Sequence, residues 1–378
     1  MRIALVIYGR PDQISGGFIY DRALVAALAA RGHRVDVVSL PWHEYARAVV
    51  SSAIGGGGRA VDRDGSVPYD VVIEDELIHP SVFTARAASG LAARGQVRVA
   101  LVHNLRCGQP GERLRSIKTA VERRYFHGVA GAIAVCSRTR DDVHTLLGRP
   151  LPCLVARPGR DHVRPDVGEG EAAARAVEPG PLRVLHVAAV QPHKGLDRLL
   201  AAIARARAGT AAPEFTVDVV GASASGSYAR RIRRQIAALD LGARVRFHGL
   251  LRGDSLHALF RRSQIFALPS DREAYSLACL EALGYGLPVL ATSEGGLAEM
   301  ITGGEQGWLI DPADEDSWVA RLRELATNRE RLREMSRAAL ARYRTHASWS
   351  EVAASVEGFL TALPDSLSST SAWTRGLG

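Results

Sequence analysis

Short apolar runs alternate with amphipathic stretches along almost the whole chain, the pattern of parallel sheets flanked by helices. Arg2–Tyr8 is nearly continuous in apolar residues and predicts a strand buried on both faces. Phe18–Arg31 places Ile19, Leu24, Val25 and Leu28 at helical spacing and stops at Gly32. Val35–Leu40, Asp70–Glu74, Val97–His103, Ala132–Cys136 and Cys153–Ala156 predict further strands. The rhythm breaks over Arg160–Pro181, which is rich in Pro, Gly and acidic residues and reads as a linker. It resumes at Leu182, with strands near 183–190, 215–221, 244–248, 264–268 and 288–291 and helices between them. Helical patterns over Ala313–Asn328, Arg329–Tyr343 and Trp349–Leu360 close the chain. The expected division is residues 1–160 and 182–345 as two doubly wound α/β domains, 161–181 as linker, and 346–378 as a C-terminal helix and mobile tail.

Composition adds four points. A length of 378 residues suits two cores better than one. No run approaches the ~18 apolar residues of a membrane span, and the N-terminal run is too short for a secretion signal. Cys107, Cys136, Cys153 and Cys279 are scattered, the usage of a cytoplasmic protein with reduced thiols and no zinc site. The net charge of +8 is uneven: residues 1–160 hold 22 Arg and Lys against 14 Asp and Glu, which is +8, and the remainder holds 26 of each. A dense part of the excess is Arg113–Phe126, with Leu114, Ile117, Val121 and Tyr125 on one helical face. That segment suits a peripheral contact with an anionic membrane or an anionic acceptor.

Chemistry concentrates in Glu273-Ala-Tyr-Ser-Leu-Ala-Cys-Leu-Glu281. The first acid lies on a short loop and the second about two turns into the helix that the loop opens, so both can face one side of its N-terminus. That terminus offers free N–H groups to phosphate oxygens, while carboxylates accept hydrogen bonds from hydroxyls. A nucleoside diphosphate sugar has this order of groups: ribose, diphosphate, sugar. The surrounding Gln264–Thr292 reads strand, loop, helix, strand and resembles the donor-site signature of the retaining glycosyltransferases of family 4. That resemblance, which covers most of the chain, implies GT-B architecture: two Rossmann-like domains facing a central cleft, the first for the acceptor and the second for the nucleotide sugar. The chain departs from the family's usual Gly-Phe-Gly after the first Glu, with Ala274-Tyr275-Ser276 instead.

The resemblance carries over to further residues. Leu185–Asp197 resembles the segment in which an Arg and, five residues later, a Lys bind the donor diphosphate. Lys194, one of two lysines in the chain, matches the Lys; Ala189 stands where the Arg would be. Gly249 and Leu250 match positions bordering the base and ribose, and Gly16-Gly17 matches an acceptor-side glycine loop. His103 matches a His close to the donor sugar, with Asn104 beside it, and Ser137 matches a Ser at the cleft wall. Glu74-Asp75-Glu76 ends a predicted strand and reads as a solvated turn ahead of a set of acceptor ligands. Asp-x-Asp occurs only at Asp62 and Asp314, in loop and helix-start contexts, so neither a metal nor another cofactor is expected.

The resulting expectation is a retaining, metal-independent hexosyltransferase acting from a UDP- or GDP-sugar on a hydroxyl acceptor, whether lipid, polysaccharide or small molecule. Glu281 would hold the ribose, Ala274, Tyr275, Ser276, Leu277 and Lys194 the diphosphate, and Glu273 the sugar, with His103, Glu273 and Lys194 nearest the reaction. Two other classes stay open: a nucleotide-sugar epimerase of the same fold recruiting Glu273, Glu281 and His103, and a non-catalytic protein binding polyanions or membranes. The chain lacks the aromatic and basic interleaving of a nucleic-acid platform, so no nucleic-acid partner is expected. Donor base, sugar, acceptor, linkage and oligomeric state are not encoded in these motifs.

Overall fold

The computed structural model describes residues 1–53, 69–84, 96–108, 114–209, 212–222 and 226–363. They divide into two compact units, one formed by Met1–Gly159 with the segment from Ala347 onward, the other by Arg160–His346. Each is built on a six-stranded, all-parallel sheet.

In the first unit, β1 (Arg2–Tyr8), β2 (Arg34–Leu40), β3 (Val71–Asp75), β4 (Val97–Val102), β5 (Gly131–Ala134) and β6 (Cys153–Val155) lie in the order β2-β1-β3-β4-β5-β6. Parallel strands need crossovers, and the helices that supply them cover the sheet faces. Hence β1, β3 and β5 are buried along nearly their whole length, while the edge strand β2 alternates and leaves Arg34 exposed. Register is set by pairs such as Ile3 with Val35 and Ile3 with Val71.

In the second unit, β7 (Leu182–Val187), β8 (Phe215–Val220), β9 (Val245–Phe247), β10 (Ile265–Leu268), β11 (Val289–Thr292) and β12 (Gly307–Ile310) lie in the order β12-β11-β10-β7-β8-β9. Its core joins Val184, Phe215, Val217, Ile265, Ala267 and Leu290 to Leu199, Leu200 and Ile203 of helix Leu196–Ala206. In both sheets strand order reverses once, between β1 and β3 and between β7 and β10. In open α/β sheets, such reversals open a crevice at the carboxyl ends of the strands.

Several expectations change. The segment read as a linker, 161–181, contains helix Glu169–Val177, which starts with Glu169 and Glu171 in its first turn and buries Ala172, Ala173 and Ala176. Its Arg175 is buried and donates to the backbone carbonyls of Arg261, Tyr285 and Gly286, the last turns of two other helices. A short run of alanines behind Glu-Gly-Glu, with Pro and Gly on its borders, hid an amphipathic helix here. The C-terminal helix Trp349–Ala362 begins with a Ser348–Glu351 capping box and belongs to the first unit, where Trp349 meets Tyr20 and Phe359 lies against Gly131. β12 and helices Tyr45–Ala53 and His79–Val82 were not predicted, all being short or weakly periodic.

The basic helix runs Arg115–Phe126 and buries Val121, Glu122, Tyr125 and Phe126. Leu114 and Ile117, expected on that inward face, are instead 65% and 51% exposed. Arg113, Asp62 and the tail after residue 363 lie outside the described residues. Among the described residues no helix is long and apolar enough to cross a membrane, and all four cysteines are free thiols.

Candidate active site

The second unit gathers its chemistry where β7 and β10 part. The chain leaving β7 makes a turn at Ala189, whose carbonyl accepts from Gln191 N at 2.8 Å, and then the 3-10 turn Pro192–Lys194. Gly195 follows at φ +71°, and a side chain there would strike the Pro269 carbonyl at 1.8 Å, so only glycine brings the two strand ends this close. Lys194 Nζ donates to Glu273 Oε1 at 2.7 Å. Glu273 is fixed in turn by its backbone, which exchanges hydrogen bonds with Glu294 O at 2.9 Å and Gly296 N at 3.0 Å. Gly295, at φ +123°, makes room for that pairing, since a Cβ would lie 1.7 Å from the Glu273 carbonyl.

Helix Leu277–Gly284 opens directly from this loop. Its N-cap is Ser276, which holds φ 65° despite its side chain and accepts from Cys279 N at 3.4 Å. A positive φ at this position explains why glycine suits it, and the serine here compensates through the cap. Tyr275 is buried and faces His346, its hydroxyl 3.4 Å from Nε2. Leu277 is the first helical residue, and Ala274 lies half-buried on the loop. Glu281 is on the same helix, 8% exposed, with Oε1 held by His162 Nε2 at 2.8 Å.

The loops after β7, β8 and β9 are stitched side by side by Val190 N to Ala222 O at 3.1 Å and Gly221 N to Gly249 O at 2.8 Å. Gly249 and the half-exposed Leu250 therefore share the edge that carries Lys194. Arg198 does not stand in for the arginine missing at Ala189, being committed to the Pro269 carbonyl and to Asp271 at 2.7 Å. Asp314 caps helix Glu315–Thr327 by accepting from Ser317 N. A separate cavity of about 710 Å³, lined by Arg198, Arg231, Arg234, Ala238 and Trp318 among others, includes none of Lys194, Glu273 or Glu281.

The first unit has a different kind of site at its own reversal. Glu74-Asp75-Glu76 is not a solvated turn: the three acids are 0%, 3% and 5% exposed. Arg98 holds Glu74 through two hydrogen bonds of 2.7 and 2.8 Å, a structural ion pair. Glu76 accepts from His103 N at 3.0 Å, and His103 Nε2 lies 3.4 Å from Asp21 and 3.9 Å from Asp75. Tyr20 meets the imidazole edge-on and donates to Ala156 O at 2.9 Å.

Burial pulls the imidazole pKa down, but attraction to Glu76, the hydrogen bond to Asp21 and the charges of Asp21 and Asp75 outweigh it and lift it to about 10. Burial, with repulsion from Glu76 and Asp21, holds Asp75 well above the usual carboxylate range. His103 is thus a cation in a pocket whose acids cannot all be ionised together. Asp21, Asp75 and His103 each place one ligand-type atom within 4.8 Å of the others. A metal there would first have to displace the proton that the acids hold on His103.

Gly16 and Gly17 are not in a loop but form the first positions of helix Gly16–Ala30, capped by Ser15. A Cβ on Gly17 would lie 3.4 Å from the His103 ring, an ordinary contact, so the first turn of the helix lies beside the imidazole. Asn104 follows His103 half-buried, and Ser137 opens helix Ser137–Leu147, whose Thr139 reaches the His103 carbonyl at 3.4 Å. Sequence reasoning missed Asp21 and His162. Neither sits in a motif, and their partners lie 82 and 119 residues away.

Residues 171–342 match the model of the glycosyl transferases group 1 family. Among curated proteins, the D-inositol 3-phosphate glycosyltransferase of Rhodococcus opacus is 32% identical over 203 residues, covering 53% of this chain and 45% of that protein. The one from Geodermatophilus obscurus is 31% identical over 253 residues, covering 64% of this chain and 55% of that protein. The chain thus spans about half the length of these relatives. Among solved structures, sucrose-phosphate synthase from Thermosynechococcus elongatus aligns with TM-score 0.76 at 18% identity over 95% of this chain and 98% of that one. HepE of Anabaena in complex with UDP-glucose aligns with TM-score 0.74 at 17% identity over 96% and 100%. The fold is that of the GT-B glycosyltransferases.

Proposed function

Since residues 171–342 form a glycosyl transferases group 1 domain within a GT-B fold, we propose that the protein is a retaining glycosyltransferase of family 4 that moves a hexose from a nucleoside diphosphate sugar to a hydroxyl acceptor. The observation that carries this reading is the meeting of Lys194, Glu273 and the N-terminus of helix Leu277–Gly284 at the reversal between β7 and β10, with Glu281 on that helix. A cation, a helix N-terminus and two carboxylates supply what a diphosphate between two hydroxyl-rich groups requires.

In this mechanism the backbone N–H groups of Ala274–Leu277 and Lys194 take the diphosphate, Glu281 the ribose hydroxyls and Glu273 hydroxyls of the sugar. Lys194 leaves or shares Glu273 as the diphosphate arrives, and its charge then stabilises the departing phosphate without a metal. Acceptor attack on the same face of the sugar, with the departing phosphate taking the acceptor proton, accounts for retention and is what the family resemblance implies. His103, as a donor, would orient the sugar or acceptor. UDP-glucose in the complex of HepE favours a UDP-sugar over a GDP-sugar donor. The match to glycosyltransferases of inositol phosphate makes a phosphate-bearing or otherwise polar hydroxyl compound the first acceptor class to try.

Nucleoside diphosphate release from a panel of UDP-, GDP- and ADP-sugars tests this, with wild type compared to Glu281→Ala. Slow release from one donor, lost in the variant, supports the reading; no release and no donor binding by wild type removes it. A peripheral membrane contact is favoured by the exposure of Leu114 and Ile117 beside Arg115 and Arg124. Changing Arg123 and Arg124 to Ser should weaken sedimentation with vesicles containing phosphatidylserine; unchanged sedimentation excludes that contact.

A further inference from the structure

We propose that His162 is a positioning residue of the nucleotide site, holding Glu281 in the orientation that accepts the ribose hydroxyls; this rests on the donor-site reading above. Its Nε2 donates to Oε1 of Glu281 at 2.8 Å, and the two side chains are 7% and 10% exposed. Among the described residues His162 is the hydrogen-bond partner shown for the Glu281 carboxylate. With one oxygen fixed, the second is left to accept from a ligand.

A glutamate on a helix has three rotatable side-chain bonds, and a carboxylate that must meet two vicinal hydroxyls gains from losing that freedom beforehand. Helix Leu277–Gly284 fixes where the Glu281 backbone is, not where its carboxylate points. His162 can fix the carboxylate because its own turn is anchored. Tyr343 donates to the carbonyls of Arg160 and Val163 at 2.8 and 3.3 Å, and the Arg160 guanidinium donates to the His346 carbonyl. His346 in turn faces Tyr275 of the donor loop. The turn Arg160–His162 is therefore tied to both ends of the stretch that carries Tyr275 and Glu281. Nothing in the carboxylate pair or the lysine predicts this histidine, which enters from the stretch where the second unit begins.

The test separates positioning from general damage by using a ribose-free probe. Binding of UDP, GDP and inorganic pyrophosphate is measured calorimetrically for wild type, His162→Leu, His162→Gln and Glu281→Ala, and for Glu281→Ala combined with His162→Leu. We expect His162→Leu to weaken the nucleotide that wild type binds by about tenfold or more and leave pyrophosphate unchanged. His162→Gln, which keeps an N–H donor, should recover most of that loss. In the Glu281→Ala background His162→Leu should add nothing. Unchanged nucleotide affinity in His162→Leu, equal weakening of pyrophosphate, or a full additional loss in the double variant would each overturn the proposal and leave the donor site standing. Failure of wild type to bind either nucleotide would remove the donor-site reading, and the positioning role with it. Should His162→Leu not fold, His162→Asn, whose amide stops short of Glu281, takes its place.

Discussion

The two units solve the same topological problem with opposite electrostatics. Both place their functional groups where strand order reverses, yet the second sets its polar groups in discrete hydrogen-bonded pairs, Lys194 with Glu273 and His162 with Glu281. The first packs Asp21, Asp75 and Glu76 around one half-buried histidine, where burial raises the pKa of Asp75 and of Glu76 and the acids together lift that of the imidazole to about 10. The difference teaches what each site is ready for. Paired charges with a helix N-terminus can exchange an internal partner for a ligand's phosphate or hydroxyl at small net cost. A cluster of acids that keeps a proton on its histidine is instead a fixed donor that orients a neutral group.

The comparison can be broken most severely at Lys194. Lys194→Ala should lower the rate of nucleoside diphosphate release by on the order of 10²- to 10³-fold, the effect of losing a charge aimed at a developing anion. Lys194→Arg should retain part of it, because the charge survives while the compact geometry does not. Steady-state rates with the best donor check both.

Next in size is Arg175, whose buried guanidinium serves the carbonyls ending two helices of the second unit. Arg175→Leu should destabilise that unit by about 3 kcal/mol, since buried carbonyls would be left without donors. Denaturant unfolding followed by Trp318 fluorescence would read it; a loss below ~0.5 kcal/mol would return residues 161–181 to the status of a linker.

A sharper probe of the first unit is Asp21→Asn. The His103 pKa of about 10 depends in part on Asp21, so the variant should titrate at lower pH in imidazole NMR spectra. The sign for stability follows from the lifted value. Because the folded pKa exceeds the free value of 6.5, the charged ring contributes stability that is complete below about pH 6.5 and fades as pH climbs through about 10. That fading should be visible in wild-type unfolding between those limits and shifted to lower pH in Asp21→Asn. An unshifted titration would show that Glu76 and Asp75 alone hold the proton.

The smallest effect concerns Ser276, which trades a strained φ of 65° against an N-cap. Ser276→Gly should change stability by less than about 1 kcal/mol, the two terms offsetting. Ser276→Ala keeps the strain and loses the cap, and should be less stable than Ser276→Gly by about 1 kcal/mol in paired melts.

How much of this was legible depended on whether the signal was local. Strands β1, β10 and β11 announced themselves as short, largely apolar runs because parallel strands are buried on both faces, and β4 did so despite Arg98. Lys194 and Glu273 were readable because each lies on the loop that follows a strand, and Glu281 because it lies on the helix that the second loop opens. Asp21, His162 and Arg175 were not, since their roles arise only when chain segments distant in sequence meet. Glu74-Asp75-Glu76 misled for a related reason: three adjacent acids look solvated until Arg98 and His103 arrive from β4 to neutralise them. Leu114 misled because it precedes the helix with a left-handed backbone, and Ile117 because it lies on the exposed first turn, while Val121 and Tyr125 further along are buried as expected.

The central claim is that helix Leu277–Gly284 carries a nucleotide site through Glu281. Calorimetric titration of UDP and GDP into wild type and Glu281→Ala tests it most directly. Wild type should bind one of the two, and the variant, equally stable to heat, should bind it between tenfold and a few hundredfold more weakly, as expected for lost hydrogen bonds to a charged group of roughly 1.5–3 kcal/mol. Equal affinity in the two proteins, or no binding by wild type, would contradict it.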